Sequence, residues 1–156
     1  MSDAPLRRLA GVLATAGLGV AGYLTYVHYA GLTPVCGISH GCETVQTSSY
    51  AYLAGVPVAL LGVLAYVTLL ATLTSRSHQA LLAGFGVSLI GFAFSAYLTY
   101  REVFTIHAIC SWCVSSAVIF TLLAAVNSAR AMTHARSLDI AAAATNNGLG
   151  EQAGAF

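Results

Sequence analysis

The strongest constraint on the fold of this chain is a series of apolar stretches, each long enough to cross a lipid bilayer. The first, residues 9–27, carries no charged side chain, and a helix of about 20 apolar residues spans a hydrocarbon core of about 30 Å. The others cover residues 54–74, 80–100 and about 109–126. Charged residues make up 7% of the chain, whereas a soluble domain carries about 25%. The pattern predicts an all-α membrane protein, a four-helix transmembrane bundle in one domain.

The first apolar stretch also has features of a secretory signal peptide, which begins with positive charge and continues with an apolar run. Arg7 and Arg8 precede it. Its apolar core is longer than that of a signal peptide, and no clear cleavage site leads into a polar region. An uncleaved membrane span is therefore the favoured interpretation.

The distribution of arginine predicts the orientation. In a four-span arrangement Arg101 falls on one side, and the other arginines fall on the opposite side: Arg7, Arg8, Arg76, Arg130 and Arg136. Cytoplasmic segments carry an excess of Lys and Arg, so both termini are expected in the cytoplasm. The cysteines of this multi-pass inner or plasma membrane protein then face the extracytoplasmic side, where disulfides persist. A net charge of +1 without a basic stripe gives no indication of nucleic-acid binding.

The segments outside the spans differ in character. Residues 1–130 are expected to form the transmembrane domain, whereas the polar, alanine-rich residues 131–156 are expected to be a disordered cytosolic tail. Between the first two spans, glycine and proline around the cysteines predict an extracytoplasmic loop. Residues 43–50 are expected to form a short interfacial helix behind it.

Two close pairs of cysteines carry the candidate chemistry. Cys36 and Cys42 lie in the loop after the first span, and Cys110-Ser-Trp-Cys113 opens the fourth. Thiols three residues apart can close a disulfide across a helical turn, and a helix N-terminus favours the thiolate. Thiolate–disulfide exchange moves two electrons at a time. The loop pair can react with a protein in the aqueous phase, whereas the inner pair borders lipid and can react with a lipid-soluble oxidant. The arrangement suits a transmembrane thiol oxidoreductase that uses a quinone.

Other interpretations of the cysteines remain open. Cys36 and Cys42 alone are equally compatible with a static disulfide that staples a loop. Four thiolates can also bind zinc, although the Cys36-x5-Cys42 spacing fits the usual ligand pairs poorly. The alternative function is a small membrane transporter or metal-handling protein with thiolates at its mouth.

The order of these motifs resembles the bacterial branch of the vitamin K epoxide reductase (VKOR) family over about residues 9–130. The DsbB family also has four spans and two cysteine pairs, but its C-x-x-C comes first in the chain and here it comes last. The resemblance implies a VKOR-like thiol:quinone oxidoreductase whose co-substrate is a quinone of the ubiquinone or menaquinone class, with no metal. It also implies an extracytoplasmic thioredoxin-like protein as a separate partner.

The resemblance implies a role for each candidate catalytic residue. Cys113 is expected to meet the quinone, Cys110 to bond with Cys42 during the relay, and Cys36 to face the protein partner. Ser48 matches a Ser/Thr position in the short interfacial helix of the family and is expected to support the active site by hydrogen bonding. Without the resemblance, a solvated or capping hydroxyl is the simpler interpretation of Ser48.

Two positions depart from the animal members of the family. Those members bind the vitamin K head group with an asparagine early in the second span and a tyrosine one turn after the C-x-x-C. The corresponding residues are Val58 and Ala117, which cannot make these hydrogen bonds. Vitamin K epoxide is therefore not the expected substrate.

Three further features have structural interpretations. Trp112 is expected to anchor at the membrane interface, with stacking beside a quinone ring as the alternative. Arg101 and Glu102 are expected either to hold the protein partner or to form an exposed polar pair at the membrane surface. Three glycines of the third span are expected to permit close helix packing: Gly84, Gly86 and Gly91.

Overall fold

The computed structural model describes residues 4–36, 41–53, 55–75 and 77–153. Arg76 and residues 154–156 lie outside the described residues, and so does Ala54, at which the second span was predicted to start. The elements follow in the order α1 (Ala4–Tyr29), α2 (Cys42–Thr47), a 3-10 turn (Ser49–Ala51), β1 (Tyr52–Leu53), β2 (Val56–Pro57), α3 (Val58–Thr74), α4 (His78–Arg101), a π-helical turn (Glu102–Ile106) and α5 (Ser111–Ala153).

The long helices match the predicted spans. Among the described residues, three helical segments are long and apolar enough to cross a membrane, namely Ala4–Tyr29, His78–Ile106 and Ser111–Thr145. Helix α3 is apolar but has only 17 residues, which corresponds to about 26 Å at 1.5 Å per residue. That length is close to the thickness of a hydrocarbon core, about 30 Å. The predicted all-α membrane bundle of four helices is confirmed.

The helix boundaries follow local chemistry. Helix α3 begins after Pro57, whose ring suits the start of a helix because it has no N–H to donate. Strands β1 and β2 pair antiparallel immediately before it, so the helix starts later than the apolar run. Helix α4 begins where the hydroxyl oxygen of Ser77 accepts a hydrogen bond from the N–H of Ala80 at 3.1 Å, a common N-cap.

The C-terminal segment differs from its predicted disorder. Helix α5 continues without a break to Ala153, so residues 131–153 are helical and the predicted boundary at residue 130 falls inside a helix. Alanine has the highest intrinsic helix propensity, and residues 141–144 of this segment are all alanine. Polarity and glycine content, which suggested a frayed tail, do not outweigh this propensity in the structure.

Helix α1 packs against α3 and α5, and α4 packs against the same two helices. The core contains a stacked pair of rings, Tyr66 and Phe120, with centroids 4.5 Å apart. Gly17 faces the Tyr66 ring and Gly91 faces the Phe120 ring so closely that a Cβ atom at either position would overlap the ring. The other buried members of this core are Ala10, Ala14, Ala21, Leu69, Leu123 and Val126.

The prediction of close packing at the three glycines of α4 is correct at two of them. A Cβ on Gly91 would meet Phe120, and a Cβ on Gly84 would lie 3.0 Å from Oγ1 of Thr72. Gly86 has nothing within 4 Å of such an atom. Composition alone does not reveal which glycines of a helix face a neighbour.

Candidate active site

The cysteine end of the bundle, where α1 and α4 end and α3 and α5 begin, brings the four sulfurs together. Cys42 and Cys110 are 1% and 0% exposed and belong to one buried cluster with Val45, against which Cys36 and Cys113 pack. Cys36 and Cys42 form a disulfide, while Cys110 and Cys113 are free thiols. The Sγ atoms of Cys110 and Cys113 lie 2.8 Å apart in a hydrogen bond. The two predicted pairs are therefore neighbours in one site.

A glycine permits the approach of the two cysteine-bearing segments. Gly41 precedes Cys42 and lies against the backbone of Ile109, the residue before Cys110. A Cβ atom at Gly41 would lie 2.7 Å from both the nitrogen and the oxygen of Ile109. Any larger residue at this position would push the start of α2 away from the C-x-x-C segment.

The segment before Cys36 is held from two sides. The indole N–H of Trp112 donates to the carbonyl oxygen of Val35 at 2.9 Å, and the N–H of Val35 donates to the hydroxyl of Tyr23 at 3.0 Å. The rings of Tyr23 and Trp112 are themselves in contact, with centroids 4.8 Å apart. Trp112, predicted as an interfacial anchor, thus also ties the loop to α1 and α5.

Glu102 is the site residue that the sequence interpretation placed wrongly. It is 2% exposed, and its Oε2 accepts a hydrogen bond from the N–H of Cys110 at 3.1 Å. The predicted exposed pair with Arg101 is wrong, because Arg101 turns to the rings of Tyr50 and Tyr97, with its guanidinium 4.4 Å from the Tyr50 centroid. Glu102 is the first residue of the π-helical turn Glu102–Ile106, and His107, which follows the turn, has a φ of 54°.

The start of α5 stabilises negative charge on Cys110, which lies just ahead of the helix. The hydrogen bond from the Cys113 thiol lowers the pKa of Cys110, while burial and the charge of Glu102 act in the opposite direction. The N–H of Cys113 also donates to the sulfur of Cys110 at 3.3 Å. A lowered pKa at a helix N-terminus is the usual basis of a reactive thiolate. Cys110 is therefore suited to thiolate–disulfide exchange.

A cavity of about 330 Å³ lies between the helices beside this pair, and Cys113 forms part of its wall. Its surface is mostly apolar, and Cys110 is not among the residues that line it. The amide nitrogen of Gln46, which also lines the cavity, lies 4.0 Å from the Cys113 sulfur. The polar residues that line the cavity are Gln46, Ser48, Tyr50, Ser95, Thr99, Arg101, Glu102 and Ser116. The cavity has the form of a small-molecule site, which combines apolar walls with a few polar groups.

A family model for the vitamin K epoxide reductase family matches residues 8–128. The chain belongs to the vitamin K epoxide reductase family. The predicted family is thereby confirmed, and as a VKOR family member the protein is a membrane oxidoreductase of thiol–disulfide chemistry. The matched range contains both cysteine pairs, Ser48 and Glu102. No curated protein gives a significant match to the chain.

In this VKOR family member, Ser48 has features of both an active-site residue and a local capping residue. It lines the cavity, yet the hydroxyl donates to the carbonyl oxygen of Val45 at 2.7 Å, which is a local bond at the end of α2. Val58 also lines the cavity, whereas Ala117 does not. Ser116, the residue before Ala117, lines the cavity instead, and its Oγ lies 2.8 Å from the hydroxyl oxygen of Tyr66. The supporting role of Ser48 stays a prediction.

Proposed function

We propose that this VKOR family member passes electrons from an extracytoplasmic thioredoxin-like protein to a membrane quinone, and so supports disulfide formation in secreted proteins. The observation that carries the proposal is the shared cluster of four sulfurs in which Cys113 alone of the inner pair faces a mostly apolar cavity. Run in reverse, the same steps would oxidise a quinol and reduce a disulfide of the protein partner.

The first step is exchange with the protein partner at the loop pair. Cys36 is partly exposed and Cys42 is buried, so a thiolate of the partner attacks the sulfur of Cys36 and displaces Cys42. The second partner thiol then attacks the mixed disulfide and displaces Cys36. The partner leaves as a disulfide, and the loop pair holds two electrons as two thiols.

The second step is exchange inside the protein. When Cys110 and Cys113 are oxidised, the thiolate of Cys42 attacks Cys110, forms a Cys42–Cys110 bond and displaces Cys113. Cys36 then attacks Cys42, which restores the loop disulfide and leaves Cys110 as a thiolate.

The third step takes place at the cavity. A quinone accepts two electrons and two protons when it is reduced to a quinol. The apolar walls fit its ring, and the side chains of Gln46 and Ser116 offer hydrogen-bond donors near Cys113. The thiolate of Cys113 adds to the quinone ring, and the thiolate of Cys110 then attacks the Cys113 sulfur, which forms the Cys110–Cys113 disulfide and displaces the ring as the quinol, with its two electrons and two protons. Glu102, which also lines the cavity, is placed to hold a proton that the thiols release.

Anaerobic reduction of ubiquinone-1 or menadione by dithiothreitol, followed spectroscopically with the purified protein, tests the proposal. Wild type should turn over. Cys113→Ala should lose thiol-dependent quinone reduction, because the thiol that meets the quinone is absent. Full quinone reduction by Cys113→Ala would contradict the role given to Cys113.

Ser115→Ala is the matched control for this experiment. Ser115 lies two positions after Cys113 on α5, its side chain is exposed, and it does not line the cavity. The variant should keep full activity. Stoichiometric zinc binding by wild type without thiol-dependent quinone reduction would favour the alternative, a metal-handling or transport protein.

A further inference from the structure

Two hydroxyl groups in the cavity beside Cys113 lack a partner among the described residues. Ser95 and Thr99 of α4 line this cavity, and their hydroxyls make no hydrogen bond to any described residue. Most of the other polar side chains in its wall do have hydrogen-bond partners: Gln46, Ser48, Arg101, Glu102 and Ser116. The two hydroxyls are therefore available to a bound molecule.

Hydroxyls on other parts of the bundle bond to their own helix. Ser88, Thr68 and Thr121 each donate to the carbonyl oxygen four residues earlier, at 2.6 to 2.8 Å, because a polar group without a partner costs free energy in an apolar medium. Ser95 and Thr99 are half-buried and depart from this pattern. Every fully buried side-chain nitrogen and oxygen of the described residues has a partner, so these two hydroxyl oxygens are accessible, and the cavity that they line gives that access.

The two hydroxyls lie on one face of α4, because residues four apart are neighbours on a helix. Thr99 precedes Glu102 by about 4.5 Å along the helix, and Ser95 precedes it by about 10 Å, at 1.5 Å per residue. Glu102 accepts the N–H of Cys110, so the pair lies further from the cysteine end of the bundle than the C-x-x-C motif does. A quinone carries its carbonyl oxygens on opposite sides of the ring, so a ring that meets Cys113 can offer an oxygen to a donor deeper in the cavity.

We propose that Ser95 and Thr99 bind an oxygen atom of the quinone head group and so raise the affinity of the cavity for the quinone. The inference rests on the proposed function, because it names residues that hold the quinone assigned to this cavity. At the two positions where animal members of the family bind the head group, Val58 and Ala117 have no side-chain donor, and the hydroxyls of α4 supply donors from a different helix. Carbonyl oxygens are common to ubiquinone and menaquinone, whereas methoxy oxygens belong to the ubiquinone class.

Quinone binding to the purified full chain without a reductant tests the inference in the absence of turnover. Trp112 is the single tryptophan of the chain and precedes Cys113. Quinones quench indole fluorescence, so the quenching of Trp112 measures the Kd for ubiquinone-1 and for menadione. Ser95→Ala combined with Thr99→Val removes both hydroxyls at nearly constant shape and should raise the Kd about fivefold for each hydroxyl that binds, the effect of one neutral hydrogen bond. Thr99→Ser keeps a hydroxyl and should bind as wild type does.

The infrared band of the bound quinone carbonyl gives a readout that a purely structural role would not move. A carbonyl that accepts a hydrogen bond absorbs at lower frequency, so the band of bound menadione should shift to higher frequency in the double variant. Weaker binding of both quinones with this shift would assign a carbonyl oxygen as the acceptor, and weaker binding of ubiquinone-1 alone would assign a methoxy oxygen. Weaker binding of both quinones without the shift would overturn the proposal, because the change would then act through packing.

Thr121→Val is the matched control, since Thr121 is exposed on α5, donates to the carbonyl oxygen of Ala117 and does not line the cavity. It should bind both quinones as wild type does. Unchanged affinity for both quinones in the double variant, or equal weakening by Thr121→Val, would overturn the inference and leave the proposed function intact. A wild type that binds neither quinone would overturn both.

Discussion

At the scale of single residues, a buried carboxylate beside the C-x-x-C motif has the largest consequence. Glu102 accepts the N–H of Cys110, and its charge opposes the lowering of the Cys110 pKa that the Cys113 hydrogen bond produces. The sequence offers little sign of this position, because a glutamate beside an arginine at the end of a span has the pattern of an exposed pair. The four cysteines were easier to predict because their spacing is itself a chemical pattern.

Glu102→Gln is expected to move the thiolate titration of the C-x-x-C pair to lower pH. Glutamine keeps a side-chain oxygen that can accept the Cys110 N–H, but it removes the negative charge that raises the pKa of Cys110. The thiolate therefore forms at lower pH. Thiolate ultraviolet absorbance against pH measures this in a Cys36→Ser, Cys42→Ser background, in which only the inner pair titrates.

Glu43→Gln is the control for this change, since Glu43 is an exposed acid next to Cys42. Its titration should match that of the background protein. A titration of the Glu102→Gln protein that stays in place, or moves to higher pH, would show that the charge of Glu102 does not act on Cys110.

At the scale of elements, the segment before Cys36 depends on its attachment to two helices. Trp112 of α5 holds the carbonyl of Val35, and Tyr23 of α1 holds its N–H. These bonds join residues far apart in the chain, so no local sequence pattern predicts them. The starts of the four spans and the ends of the first three were predictable to within about five residues, because apolar runs are a local signal.

Tyr23→Phe is expected to loosen this segment without disturbing the bundle. The change removes the hydroxyl that accepts the N–H of Val35, a bond worth about 1 kcal/mol net, so the amide should exchange about fivefold faster. Hydrogen–deuterium exchange of a peptide that contains Val35 measures the effect.

Tyr26→Phe provides the comparison, because Tyr26 is 66% exposed on the same helix. It should leave the exchange of Val35 unchanged. Unchanged exchange in Tyr23→Phe, or equal acceleration by both variants, would contradict the assigned role of the Tyr23 hydroxyl.

At the scale of the whole molecule, the order of the spans predicted that both cysteine pairs lie at one end, and the structure places them in one cluster. The packing of helix on helix was not predictable in the same way, because the apolar stretches have similar compositions. The ring stack of Tyr66 and Phe120 depends on which glycines face it, and among the described glycines Gly17 and Gly91 do so. Phe120 also lines the cavity beside Cys113, so this packing bears on both stability and the site.

Gly91→Ala should destabilise the bundle, because its Cβ would overlap the ring of Phe120 and overpacking a core costs about 1–3 kcal/mol. Gly86→Ala on the same helix meets nothing within 4 Å. Both changes gain the helix propensity of alanine over glycine, about 1 kcal/mol, so the difference between them isolates the overlap. Thermal unfolding in detergent should therefore give a lower midpoint for Gly91→Ala than for Gly86→Ala. Equal midpoints would mean that the stack shifts freely and does not constrain the distance between α4 and α5.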